Sequence, residues 1–199
     1  MGRDVNGAFR TSSDDFNPGI WWGDYTETNA FNMAFTVPQD GQGLANLYGG
    51  REKLAERLDG LFNASPDLVQ DGTIHEMVEA RDLKMGLYGH SNQPSHHIPY
   101  MYNYAGRPDR TQEVVREVLA RAYVGSDFGQ GYIGDEDNGE MSAWYILSAL
   151  GIYPVNMGSG EYAIGSPLFT KATIHLECGE DLVINAPNNS RENIYVQGV

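Results

Sequence analysis

The sequence predicts a mainly α-helical protein that ends in a small β region, and two patterns along the chain indicate this division. Up to about residue 157, apolar and amphipathic segments are joined by loops rich in Gly, Asp and Asn. From residue 158 onward, short β-branched segments alternate with turn residues, which is typical of strands. We therefore expect a helical region at 1–157 and a β region at 158–199.

The clearest predicted helix begins near Arg110, where Val114, Val118 and Leu119 recur at helical spacing. Asp109 is its expected N-cap. Segments 49–62 and 141–155 predict two further helices. The second is apolar on nearly all sides, as expected of a buried helix.

Shorter segments complete the predicted elements. Residues 28–37 and 96–105 are expected to be helical, each stopped by a following Pro or Gly. Strands are predicted in the segments 161–169, 171–177, 180–186 and 193–199. Paired helices at intervals would suit a helical toroid.

The composition restricts the classes of partner. A net charge of −14 repels nucleic acid and anionic membrane surfaces, and it suits a protein that binds cations or neutral polar ligands. The acidity is equally expected of a chain that needs only a soluble surface. With Cys178 as the single cysteine, no intrachain disulfide can form. We find no apolar run long enough to span a membrane and no signal peptide, so an export signal would lie upstream.

The first chemical motif is the aromatic loop, residues 21–30, with the sequence WWGDYTETNA. Aromatic faces beside a carboxylate are typical of a carbohydrate site. A carboxyl group among apolar rings is harder to ionise, so Glu27 could protonate a glycosidic oxygen. Alternatively, Trp21 and Trp22 belong to the core, and Glu27 lies at a helix N-terminus.

The second motif is the histidine loop, residues 89–100, with the sequence GHSNQPSHHIPY. Three histidines suggest zinc, but the HExxH spacing and a cysteine partner are both lacking. Neutral histidines and amides also suit hydrogen bonds to sugar hydroxyls. A polar loop that only caps the helix near Ser95 is a third interpretation.

The third motif spans residues 134–145, and its first part, residues 134–140, is called the acidic loop below. Its four carboxylates repel one another unless a cation or a proton intervenes, and such oxygen ligands favour calcium. An EF-hand is excluded because Ile146 stands where its bidentate Glu is needed. Asp135 and Asp137 alternate, so both can lie on one side of a turn, where one activates water and the other orients it. A solvated acidic turn is the alternative.

Taken together, the motifs resemble glycoside hydrolase family 92, the calcium-dependent exo-α-mannosidases. The matching stretches occur in the family's order: DYTETNAF, VPQDGQGL, NLYGGREKLAERLDGLF, GHSNQPSHHIPYMYNYAGRP, GDEDNGEMSAWYILSALGIYPV and YAIGSPLF. The resemblance implies the C-terminal half of an (α/α)6 barrel followed by a small β region. It also implies that this chain is a fragment that lacks the family's N-terminal β-sandwich and first half-barrel, and that the parent is secreted or periplasmic.

The resemblance further implies hydrolysis of terminal non-reducing α-mannosyl residues from mannose-containing glycans, with inversion and the help of calcium. Glu27 is then the general acid, and Asp137 is the base, assisted by Asp135. The predicted calcium ligands are Asn92, Gln93 and Asp137. The predicted substrate-binding residues are Trp22, Tyr25, His90, Gln93, His96 and His97.

Two alternatives stay open. Many relatives have a Glu where this chain has Asn92, Gln93 and Pro94. If that Glu is the acid, this protein lacks one and suits mannose-1-phosphate diesters, whose leaving group departs without protonation. The chain could instead be a catalytically silent fragment that only binds carbohydrate, because it lacks the N-terminal half.

Overall fold

The computed structural model describes residues 2–65, 74–125 and 131–199 and confirms a mainly helical chain with a small C-terminal β region. Single 3-10 turns lie at Gln93–Ser95 and Ile98–Tyr100. The helices are α1 Ala30–Met33, α2 Gly41–Leu47, α3 Arg51–Phe62, α4 His75–Leu83, α5 Met101–Tyr104, α6 Pro108–Ala122 and α7 Glu140–Leu150. The strands are β1 Ile152–Tyr153, β2 Ala163–Ile164, β3 Lys171–His175 and β4 Asp181–Asn185.

The core lies between α3, α5, α6 and α7. Helix α3 buries Leu54, Leu58 and Leu61 completely, because their spacing places them on one face. Helix α6 presents Val115 and Val118 in the same way. Consecutive helices α5, α6 and α7 pack against one another, and α3 packs against α5. This helical layer supports the loops that carry the chemical motifs.

Helix α6 starts earlier than predicted, and Asp109 is not its cap. Arg107 occupies the N-cap position, and Pro108 is the first helical residue, where its missing N–H has no consequence. Asp109 lies in the first turn and accepts a hydrogen bond from Nε of Arg107 at 3.0 Å. A carboxylate there still stabilises the positive end of the helix dipole.

Helix α7 is shorter and less enclosed than the segment 141–155 predicted. It ends at Leu150 because Gly151 adopts a left-handed conformation (φ 85°), a common way to end a helix. Trp144 is fully buried, whereas Ile146 is 56% exposed, so only one face of α7 packs against the core. Because the α7 segment is apolar on nearly all sides, its sequence did not indicate which face packs against the core.

The other predicted helices are also shortened. Of residues 28–37 only the single turn α1 is helical, and residues 96–105 divide into a 3-10 turn around Pro99 and the short helix α5. Helix α3 begins at Arg51 rather than at residue 49, because Gly49 and Gly50 both have positive φ angles. The spacing of apolar residues did not indicate these interruptions of helical backbone geometry.

The β region consists of two antiparallel pairs. Ile152 pairs with Ile164 in the first, and Lys171 pairs with Asn185 in the second. Because β1 precedes residue 158, β structure begins before the boundary expected from the sequence. The predicted strand at 193–199 is absent from the described chain, where the backbone N–H of Val196 donates to the Gln112 side chain of α6 at 2.9 Å.

Arg116 of α6 also binds the C-terminal region. Its guanidinium donates to the carbonyl oxygen of Pro167, to Oδ1 of Asn189 at 3.0 Å and to the carbonyl oxygen of Ser190 at 2.7 Å. Burial lowers the pKa of this guanidinium from its usual value. One half-buried cation therefore connects the helical layer to three points of the C-terminal region.

Gly134 of the acidic loop lies close to Ser91 of the histidine loop. A Cβ atom at this position would lie 2.6 Å from Cβ of Ser91, and φ is 80°. We expect Gly134→Ala to lower the free energy of unfolding by about 1–3 kcal/mol or more, through strain and overpacking. Gly139→Ala is the matched control, because φ is 91° there but no atom lies within 4 Å of the added Cβ. Equal losses in urea unfolding would show that the contact with Ser91 is unimportant.

Candidate active site

The three sequence motifs lie together in the structure although they are far apart in the chain. Nδ2 of Asn92 in the histidine loop donates to the carbonyl oxygen of Glu27 in the aromatic loop. The adjacent Gln93 donates through Nε2 to the carbonyl oxygen of Asp135 in the acidic loop at 3.2 Å. Two neighbouring amide side chains therefore hold the histidine loop to both of the other loops.

Asn32 holds the helix after the aromatic loop to the histidine loop, and the sequence analysis did not identify it. Its Oδ1 accepts the Gly89 N–H at 3.2 Å and lies 3.3 Å from Oγ of Ser95, while its Nδ2 donates to the Leu87 carbonyl oxygen at 3.0 Å. Asn29 caps α1 by accepting the Asn32 N–H at 3.0 Å. The TN sequence before an apolar turn is the cap signal that could have revealed Asn29.

The aromatic loop separates its two tryptophans. Trp21 is 4% exposed and belongs to the core, whereas Trp22 is 46% exposed and has a left-handed backbone with φ 71°. The backbone N–H of Trp22 donates to the Thr28 carbonyl oxygen at 3.0 Å, which closes the loop. One indole is thus available for stacking on a sugar, and the other anchors the loop.

Glu27 lies in the closed part of the aromatic loop. It is exposed, with φ 51°, and Asn29 rather than Glu27 caps the following helix. The enclosure by apolar rings that we expected is therefore not provided by Trp21, whose ring faces the core. Tyr25 in the same loop is half-buried, and desolvation together with the charge of Asp24 raises its pKa.

His90 is fully buried, and both of its ring nitrogens have partners. The Tyr123 hydroxyl donates to the Met141 carbonyl oxygen at 3.1 Å, so it accepts from Nε2 of His90 at 2.9 Å. Nδ1 then accepts from the Tyr88 hydroxyl at 2.9 Å. Burial, and secondly the charge of His96, hold the pKa of His90 well below its usual range. The predicted contact of His90 with a sugar would require these bonds to break.

His96 and His97 also face the interior. Nε2 of His97 donates to the Phe35 carbonyl oxygen at 2.7 Å, and burial lowers the pKa of this ring. His96 is 1% exposed, and both of its ring nitrogens have partners, the His90 carbonyl oxygen and the Glu140 carboxylate. The three histidines therefore position the loop in this structure. Among the described residues, no group of three His, Cys, Asp or Glu side chains is arranged to hold a metal ion.

The carboxylates of the acidic loop have different partners, which reduces the repulsion between their charges. Glu136 accepts from the backbone N–H of Ser142 at 3.1 Å and from its hydroxyl at 2.9 Å, and these bonds lower the pKa of Glu136. Glu140 pairs with His96. Asp135 and Asp137 are the more exposed carboxylates of the loop, and both are open to a ligand and to water.

The backbone around Asp137 has an unusual shape. Asp137, Asn138 and Gly139 have successive φ angles of 48°, 61° and 91°, all in the left-handed region. Non-glycine residues rarely adopt this region, and clusters of such residues are frequent at functional sites. The sequence DNG permits the turn because Asn and Asp tolerate this conformation better than other residues, and Gly is unrestricted.

The buried histidines predict a loss of stability in acid. Because their folded pKa values are lowered, the unfolded chain takes up protons below about pH 6.5 while the folded chain does not. The free energy of unfolding should fall by up to about 1.4 kcal/mol per pH unit per histidine in the window between the unfolded and folded pKa values. Urea unfolding at several pH values below neutrality measures this slope. His90→Gln should reduce it, whereas His175→Gln on an exposed face of β3 is the control, and an unchanged slope in His90→Gln would contradict the assignment.

The whole chain, residues 1–199, matches the glycosyl hydrolase family 92 catalytic domain, and the chain therefore belongs to this family. The resemblance seen in the sequence motifs is thereby confirmed.

Solved structures and a curated relative agree with this assignment. A family 92 α-mannosidase from Bacteroides thetaiotaomicron superimposes with a TM-score of 0.82 at 36% identity, covering 98% of this chain and 24% of that chain. A family 92 inverting mannosidase from B. thetaiotaomicron VPI-5482 gives a TM-score of 0.77 at 43% identity, with 97% and 26% covered. An uncharacterized secreted glycosidase from Arthroderma benhamiae is 30% identical, with 94% of this chain and 20% of the relative covered.

The chain thus spans about a fifth to a quarter of the length of these relatives. Within the residues that the structure describes, no helix combines the length and the apolarity that a membrane crossing requires.

Proposed function

We propose that this chain forms part of the active site of an α-mannosidase that removes terminal non-reducing α-mannosyl residues from mannose-containing glycans with inversion. The observation that carries the proposal is the placement of two exposed carboxylates, Asp135 and Asp137, on a loop bonded through Gln93 and Asn92 to the backbone of Glu27. Two related bacterial proteins are named as mannosidases, and one of those names includes inversion. The structure of the first has also been described in complex with mannoimidazole.

In this mechanism Glu27 donates a proton to the departing glycosidic oxygen. Asp137 takes a proton from water that attacks the opposite face of the sugar, and Asp135 orients that water. Inverting enzymes keep their acid and base about 6.5–9.5 Å apart, which leaves room for the water. Trp22 and Tyr25 supply aromatic surface for the sugar, and Gln93 supplies a polar edge.

Calcium is part of the proposal because the candidate donors here are hard oxygens. The amide nitrogens of Asn92 and Gln93 are used in hydrogen bonds to backbone, so their oxygens are left to face a cation, together with the carboxylate of Asp137. Calcium takes six to eight oxygen ligands, so water, sugar hydroxyls and other parts of the enzyme must complete the set. When bound, calcium would hold the mannose 2- and 3-hydroxyls and favour ring distortion.

The remaining three quarters of the parent are proposed to supply the rest of an (α/α)6 barrel and an N-terminal β-sandwich. In this arrangement the helices α1–α7 form the C-terminal half of the barrel. We further propose that the parent is secreted or periplasmic, since one relative is named as a secreted glycosidase.

The test is hydrolysis of an α-mannoside by the full-length enzyme, followed by proton NMR. The proposal expects β-mannose as the first product, loss of turnover on chelation of calcium and recovery when calcium is restored. Retention of the α anomer would overturn inversion, and activity that persists in chelator would overturn the role of calcium. The silent carbohydrate-binding alternative instead expects that the isolated chain binds mannoside without turnover while the full-length enzyme hydrolyses it.

A second candidate is favoured by the exposure of Glu27. The Glu27 side chain is exposed rather than enclosed by apolar rings, so its surroundings in this chain differ from those expected of a general acid. A mannose-1-phosphate diester would not need it, because a phosphate departs without protonation. Comparing turnover of a mannosyl phosphodiester with that of a mannobiose distinguishes the two candidates.

A further inference from the structure

The pair formed by His96 and Glu140, called the His96–Glu140 pair below, joins the histidine loop to the last residue of the acidic loop. Nδ1 of His96 is 3.2 Å from Oε1 of Glu140, and Nε2 of His96 is 3.0 Å from the His90 carbonyl oxygen. A carboxylate and a carbonyl are both acceptors, so each nitrogen of the ring faces an acceptor. One buried ring therefore joins the histidine loop to the first residue of α7.

The surroundings fix this ring. Nε1 of Trp144 donates to the His96 carbonyl oxygen at 3.0 Å, and the His90 ring stacks on the His96 ring at 4.6 Å. His96 is 1% exposed, while the Glu140 side chain is 35% exposed and lines a cleft of about 420 Å³ together with Gln93. The pair thus has a buried end in the core and an open end beside the proposed site.

Glu140 lies immediately after the left-handed turn that presents Asp137. The Glu140 N–H donates to the Asp137 carbonyl oxygen at 3.3 Å, so a displacement of Glu140 would be transmitted to that turn. On the other side, the His96 N–H donates to the Gln93 carbonyl oxygen at 2.9 Å. The pair therefore connects the backbones of Asp137 and Gln93. These residues belong to the acidic loop and the histidine loop, whose relative position the proposed reaction depends on.

We propose that His96 and Glu140 are positioning residues that hold the acidic loop at a fixed distance from the histidine loop. Neither side chain touches the reacting atoms in this proposal, which rests on the proposed function. A small displacement of a base from its productive geometry costs rate more than binding, so the effect should fall mainly on kcat. The contact also predicts a local change in dynamics that does not depend on any activity.

The test compares Glu140→Ala, Glu140→Gln and Glu52→Ala in the full-length enzyme. Glu140→Gln keeps an acceptor for Nδ1 of His96, whereas Glu140→Ala removes it. Glu52 lies in the first turn of α3 as Glu140 does in α7, and it is exposed, so Glu52→Ala controls for the loss of a helix-dipole charge.

We expect kcat of Glu140→Ala to fall at least about tenfold with KM changed less than about threefold. Glu140→Gln should recover most of this loss, and Glu52→Ala should match the wild type. Amide hydrogen exchange should accelerate in residues 134–142 and 89–97 of Glu140→Ala and nowhere else. These exchange measurements use protein without substrate or added calcium.

Three results would overturn the proposal. Exchange in Glu140→Ala could equal that of the wild type, or it could accelerate throughout the chain, which indicates a general loss of stability. Failure of Glu140→Gln to recover kcat would show that the charge matters rather than the hydrogen bond. If the wild-type enzyme hydrolyses no mannoside, the proposed function fails, and the exchange experiment still decides whether the pair positions the loops.

Discussion

Glu27→Gln in the full-length enzyme is expected to slow the hydrolysis of mannosides with poor leaving groups by about 10²–10⁴-fold. The amide cannot donate the proton that an alkoxide leaving group requires. Substrates with acidic leaving groups, such as dinitrophenyl mannoside, need little protonation and should lose much less. The measurement is kcat/KM for both substrate classes in the wild type and the variant.

Glu161→Gln is a suitable control for this experiment, because it removes one exposed carboxylate outside the three loops. Equal losses on both substrate classes in Glu27→Gln would mean that Glu27 holds the sugar or the loop but is not the acid. No loss on either class would favour the mannosyl phosphodiester candidate. The exposure of Glu27 in this chain makes the comparison informative, because other parts of the parent must enclose the carboxyl group if it acts as an acid.

Trp144→Ala is expected to lower the free energy of unfolding by about 3–5 kcal/mol, because it leaves a cavity in the core. The indole is fully buried, lies parallel to the Tyr123 ring at 5.8 Å and contacts the His90 ring edge-on at 4.5 Å. The substitution also removes the donor to the His96 carbonyl oxygen. Equilibrium urea unfolding of the chain measures the loss.

Ile146→Ala provides the comparison on the same helix. Its side chain is 56% exposed, so its loss should cost less than about 1 kcal/mol. Trp144→Phe should lie between the two, since it keeps an aromatic ring and loses the N–H donor. If Trp144→Ala and Ile146→Ala have similar effects, the described packing of α7 is wrong.

The sequence predicted the larger elements because their signals are local. The apolar spacing of α6 and the β-branched segments of β3 and β4 depend only on neighbouring residues, and the structure contains all three elements. The strand expected at 193–199 did not form because the Val196 N–H binds Gln112, which is distant in sequence. A tertiary contact of this kind leaves no local pattern.

The candidate site also has features that the local sequence revealed and features that depend on contacts distant in sequence. Motif composition identified the three loops, and hydrogen bonds from Asn92 and Gln93 bring them together. The motif composition did not reveal that His90 is enclosed by Tyr88 and Tyr123. A histidine in a polar loop has the same sequence pattern whether its side chain faces solvent or the core. Asn32 and Glu140 were missed for the same reason, since their importance comes from partners more than 40 residues away.

The attachment of the β region through Arg116 has a consequence for its response to salt. The guanidinium binds two carbonyl oxygens and one amide oxygen, all of them neutral acceptors. By contrast, Arg110 and Arg121 form ion pairs with Glu113 and Glu117 on the same helix. Added electrolyte screens attraction between exposed opposite charges over roughly 8–10 Å, but it weakens a short, half-buried bond to a neutral oxygen far less. The C-terminal region should therefore stay attached to α6 across changes in ionic strength that weaken the ion pairs along the helix surface.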